Sequence, residues 1–116
     1  MQLENKLWQC PLEVKRGTYE AMPESWLGAV INYYVGAPTY QEALIKAVRS
    51  LQSQGMEFVD LNGGQVFQLD PNQWWEGHVV AEYAEYSDYF PSQAEIETLV
   101  LNGGICHGPF AGWSKE

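Results

Sequence analysis

The chain has 116 residues, 46% of them hydrophobic, and a formal net charge of −9. That size and composition fit one soluble folded domain around one core and argue against a disordered chain. The negative field repels phosphate, so no nucleic acid and no anionic membrane is expected as a partner, whereas a basic protein partner is permitted.

The charge is unevenly spread. Residues 59–116 carry nine acidic side chains and one basic one, and no Lys or Arg stands between Arg49 and Lys115. Cys10 and Cys106 are the only cysteines, which is too few for a disulfide framework. The stretch from Met1 to Leu7 lacks the apolar run of a signal peptide, and the mainly apolar run from Trp26 to Ala37 is too short to cross a bilayer. The expected setting is cytoplasmic, with both thiols reduced.

From Leu7 to Arg16 the residues alternate, with Trp8, Cys10, Leu12 and Val14 on one face, which predicts a half-buried strand. Pro11 has no N–H to give a ladder, so this strand is expected at a sheet edge. After a loop, Trp26 to Val35 reads as a second strand. Its Leu27, Ala29, Ile31, Tyr33 and Val35 face is wholly apolar and its other face mixed, as suits a central strand. Thr39 and Glu42 form a capping box behind Pro38. The stripe Leu44, Ala47, Val48 and Leu51 then predicts a helix over 39–54, with Glu42 and Lys46 spaced for an i,i+4 ion pair and Gly55 as the stop.

Met56–Leu61 and Gln65–Leu69 read as short strands, and Asn62-Gly63-Gly64 between them suits a tight hairpin turn. Asp70-Pro71 has the form of an N-cap with proline at the first helical position. Trp75, Val79, Tyr83, Tyr86 and Phe90 follow at helical spacing, although Gly77 and the pair Val79-Val80 leave a partial strand open over 72–90. Ser92 and Glu95 make a second capping box for a helix through Leu101, with Ile96, Leu99 and Val100 inward. Asn102-Gly103 ends it, and Ile105 to Phe110 is a short final strand. The expected architecture is α+β: a two-layer sandwich of ferredoxin-like type, with a mostly antiparallel sheet covered by helices on one face, in a single domain spanning 1–116.

No catalytic, cofactor-binding or metal-binding residue set stands out. Cys106 and His107 are adjacent, and adjacent residues of a strand point to opposite faces, which is unsuited to a thiolate–imidazole pair. His78 and Glu82 share a helix face, but zinc needs three or four ligands and no spacing such as Cys-x-x-Cys supplies the rest. No cofactor is expected, and the sequence leaves open whether the chain is an enzyme.

The most distinctive stretch runs from Glu82 to Phe90, where an acid followed by Tyr recurs three times: Glu82-Tyr83, Glu85-Tyr86 and Asp88-Tyr89. On a helix this spacing sets a tyrosine stripe beside an acidic one, with further aromatic area available from Trp74, Trp75 and Trp113. The expectation is a non-enzymatic interaction, accessory or inhibitor module that uses this acidic, tyrosine-rich surface. The alternative is a small enzyme or ligand-binding domain with an aromatic pocket near Trp74, Trp75, His78 and His107.

Overall fold

The computed structural model describes residues 4–114. Two long strands, β1 (Lys6–Lys15) and β2 (Trp26–Ala37), pair antiparallel along their length, with Cys10 opposite Tyr33 and Leu12 opposite Ile31. A helix, α1 (Tyr40–Ser53), leads from β2 to β3 (Glu57–Leu61). A short turn at Asn62–Gly64 leads on to β4 (Phe67–Leu69). An irregular helical segment then spans residues 71–89 and contains the one-turn helix α2 (Val80–Tyr83). Helix α3 (Gln93–Leu101) follows, and β5 (Ile105–Ser114) ends the described chain. The sheet order is β3-β1-β2-β5, with β4 also on β1, and every pairing is antiparallel.

The class is therefore α+β with an antiparallel sheet, but four details differ from the sequence reading. First, β1 lies inside the sheet. Pro11 is tolerated there because it falls between the stretch paired with β4 (Leu7–Gln9) and the stretch paired with β3 (Leu12–Lys15), so neither outer strand needs its missing N–H. Second, β3 and β4 do not form a hairpin. Both pair with β1 and run in the same direction, end to end, and the glycine turn between them interrupts one long outer edge. Gly63 and Gly64 do take positive φ, at 74° and 68°.

Third, the ferredoxin-like expectation is met only in its first half: the crossover through α1 passes over β1 and sets β3 on the far side of β1 from β2. This is the split β-α-β unit, but the path from β4 to β5 joins strands of opposite direction, so the unit is not repeated as a ferredoxin-like fold requires. Fourth, the helices are not confined to one face. Neighbouring residues of a strand point to opposite sides. Tyr33 belongs to a core with Cys10, Leu12, Ile31, Ala43, Ala47 and Leu51, under α1. Tyr34 belongs to a second core with Leu7, Trp74, Val79, Phe90, Ile96 and Val100.

The first face is regular. Thr39 caps α1 by accepting a hydrogen bond from the Glu42 N–H at 3.3 Å, and Ala43, Ala47 and Leu51 are buried, while Leu44 and Val48 pack at the margin. Lys46 does not pair with Glu42. Its Nζ donates to the carbonyls of Gly36 and Gly103, at 3.0 and 3.1 Å, and so ties α1 to the ends of β2 and α3. On the second face, Ser92 and Glu95 close a full capping box at α3, with Ser92 Oγ accepting from the Glu95 N–H and Glu95 Oε1 accepting from the Ser92 N–H. Gly36 lets α3 approach β2, since a Cβ there would lie 2.9 Å from Val100 Cα.

Candidate functional site

Residues 71–89 lie in short helical turns with no strand among them, but no regular helix runs through them. Asp70 caps a 3₁₀ turn by accepting from the Asn72 N–H at 3.0 Å, with Pro71 in the first position. A π-helical turn follows over Trp74–Val79, closed by the Val80 N–H to the Trp75 carbonyl. π turns insert a residue into a helix and recur at functional sites. Here the widened turn stacks Trp74 on His78, with ring centroids 5.3 Å apart and planes at 26°. The helix kinks at Tyr86 and ends in a 3₁₀ stretch, so the single helical stripe expected over 82–90 is broken in two.

Trp74 is fully buried, and its Nε1 donates to the Pro91 carbonyl at 2.8 Å. It therefore serves the core and offers no contact surface. Trp75 is half-buried beside it, with its N–H donating to Gln93 Oε1. His78 is buried against Trp74, Tyr34 and Tyr83. His78 Nδ1 meets Glu82 Oε2 at 2.8 Å and its Nε2 meets Tyr34 Oη at 2.7 Å. A carboxylate only accepts, so the neutral ring donates from Nδ1 to Glu82 and accepts the Tyr34 hydroxyl proton at Nε2.

Burial lowers the His78 pKa from its ordinary value, and the neighbouring Glu82 opposes that shift. Burial raises the Tyr34 pKa, and Tyr83 adds to the rise. The row Glu82–His78–Tyr34 thus holds one buried polar chain in a fixed order. Both ring nitrogens are engaged, and the one proton that Nε2 faces is that of the Tyr34 hydroxyl, which burial holds on the phenol.

His107 does not join this group. It lies on β5 with its ring 5.4 Å from Tyr33, on the α1 side of the sheet, and 5.4 Å from Phe110. The four residues of the expected aromatic pocket therefore do not converge: Trp74, Trp75 and His78 share one face and His107 the other. Cys106 packs on the Tyr34 side and Cys10 on the α1 side, so the sheet separates the two thiols. Both are free, and burial pushes each up to about 12, far from a reactive thiolate. Among the described residues no third His, Cys, Asp or Glu joins His78 and Glu82 into a metal-binding set.

The acid–tyrosine stretch divides at Tyr83. Tyr83 is half-buried, packs its ring tilted against His78 and Phe90, and its hydroxyl accepts from Asn32 Nδ2 at 2.8 Å. Glu82 is exposed but held by His78. Beyond the kink, Tyr86 and Tyr89 are 48% and 69% exposed, their rings 6.2 Å apart, and Glu85 and Asp88 are exposed beside them. Both tyrosines line a shallow hollow of about 410 Å³ with Tyr19, His107, Pro109 and Phe110, and Tyr86 also lines one of about 320 Å³ with Tyr83, Pro109 and Phe110. Trp113 lies elsewhere, over Gly28.

A larger groove of about 640 Å³ opens between β4 and the π turn, with His78 and Glu82 in its wall. Of the expected pocket residues only His78 reaches it, and its other sides come from two sheet strands and an irregular turn that no local pattern connects. No family model, curated protein or solved structure matches the chain.

Proposed function

We propose that this protein is a non-enzymatic interaction module that binds a basic protein through the surface of Glu85, Tyr86, Asp88 and Tyr89. The observation that carries the reading is the exposure of Tyr86 and Tyr89 on a shelf shared with Pro109 and Phe110 of β5, flanked by carboxylates that have no ion-pair partner among the described residues. Accessible aromatic area is what an interface centre uses, and uncompensated charge at its rim selects and steers an oppositely charged partner. Of the other two members of the repeat, Tyr83 lies beneath the shelf and Glu82 is held by His78 away from it. The free, high-pKa thiols fit a reducing compartment such as the cytoplasm.

The test takes a partner isolated from the native source and measures its affinity for the intact chain and for two variants. Tyr86→Ser with Tyr89→Ser should weaken binding by about 2 kcal/mol or more, as removal of central aromatic anchors does. Glu85→Gln with Asp88→Asn should mainly slow association and flatten its salt dependence. Glu82 is left unchanged because it holds His78. Unchanged binding by both variants would end the proposal.

A further inference from the structure

The groove between β4 and the π turn gathers polar groups that the fold does not use. Gln9 reaches it from β1, Gln68 from β4 and Gln73 from the start of the helical segment. Among the described residues none of these three amides has a hydrogen-bond partner in the protein. Asp70 uses one carboxylate oxygen to cap Asn72, and Glu82 uses one on His78, so each keeps a second oxygen for a ligand. Phe67, 43% exposed, adds an aromatic ring to the same lining.

The chemistry of this set is narrow. No Lys or Arg lines the groove, so it does not attract an anion. Side-chain amides both donate and accept, and carboxylates accept. Neighbouring hydroxyl groups on a sugar ring also both donate and accept, and the C–H face of that ring packs on an aromatic side chain. A simple organic cation would engage the two carboxylates and leave the three amides idle. We propose that this groove is a binding site for a neutral saccharide of one or two rings, a size that its volume accommodates. His78 is a positioning residue there: its bond fixes the Glu82 carboxylate in the wall. The site is separate from the tyrosine shelf and does not depend on the function proposed for it.

The experiment is NMR titration of the ¹⁵N-labelled full chain with the methyl glycosides of glucose, galactose, mannose and N-acetylglucosamine and with maltose and cellobiose. Arginine amide serves as the cationic probe, and all are run at low and high salt. At least one sugar should give saturable shifts at the side-chain amides of Gln9, Gln68 and Gln73 and at the Gly77 N–H, with little salt dependence. Gln73→Ala and Gln68→Ala should each weaken that sugar about tenfold, the effect of one well-formed hydrogen bond to a ligand. Asp70→Asn retains a capping oxygen, so its loss of affinity reports the charge and not the fold. Tyr86→Ser with Tyr89→Ser should leave sugar binding unchanged, which separates the two proposals. Absence of shifts at these amides with every sugar would overturn the inference, as would salt-sensitive binding of arginine amide in their place.

Discussion

On one side of the sheet, α1 lays Ala43, Ala47 and Leu51 over Cys10, Leu12, Ile31 and Tyr33, and most of the buried side chains there are small or aliphatic. On the other, Tyr34, Trp74, His78 and Phe90 meet edge to face or stacked, and the cluster encloses a histidine, a phenol hydroxyl and an indole N–H. Both faces are buried, but they are specified differently. The first is set mainly by periodicity and volume, and it buries the Tyr33 hydroxyl with no hydrogen-bond partner. The second needs each polar atom to find its partner, because an unpaired buried group costs about 1–3 kcal/mol.

The largest expected effect is at Trp74. Trp74→Ala should lose about 3–5 kcal/mol in denaturant unfolding, against about 2–5 kcal/mol for Leu51→Ala. Hydrogen exchange sharpens the contrast. Trp74→Ala should release amides of residues 71–89 while β1, β2 and α1 stay protected, whereas Leu51→Ala should lower protection of α1 first. Equal loss of protection everywhere in both variants would mean that the two faces form one cooperative unit.

That difference in specification is also why the faces were unequally legible. Helix α1 could be read because a cap, a stripe and a glycine stop coincide between Thr39 and Gly55. Helix α3 could be read from Ser92 and Glu95. Between Asp70 and Phe90 the capping signal at Asp70-Pro71 is met, and of the residues at helical spacing Val79 and Phe90 are buried, Trp75 and Tyr83 pack beside them, and Tyr86 alone is exposed. That spacing gave no sign that Trp74 and His78, which the π turn rotates into the core, would be buried as well. Periodicity assumes a constant turn, and a π turn violates that assumption. Pro11 misled for a related reason: a central strand was masked by a gap in its neighbour, and pairing across the sheet is not written in either strand alone. The four exposed residues at 85–89 were legible as a pattern. The groove was not, since Gln9, Gln68 and Gln73 have no local signature.

Smaller effects probe the polar row. Tyr34→Phe leaves His78 Nε2 buried without its donor and should cost about 1–3 kcal/mol. His78 also makes the second face sensitive to acid. Its pKa in the folded chain lies below the ordinary 6.5, so in the window beneath 6.5 the unfolded chain binds more protons. Its contribution to stability is therefore complete above that value and is lost as the pH falls toward the folded pKa. Thermal unfolding followed from pH 8 to pH 5 should show a decline that is shallower in His78→Gln, and identical slopes would remove His78 as the source. The smallest change is Thr39→Ala on the regular face, about 1 kcal/mol for a lost helix cap, with no change in pH dependence.

Gly63 and Gly64 form the turn that splits the outer edge, and a Cβ at either would meet no atom within 4 Å. The chain there is exposed, already out of ladder register, and joined to β3 and β4 only at its two ends. Exposed loop tips of this kind tolerate inserted sequence. A short peptide epitope or a dye-bearing cysteine spliced between these glycines would give the protein an attachment point for surface capture or single-molecule work.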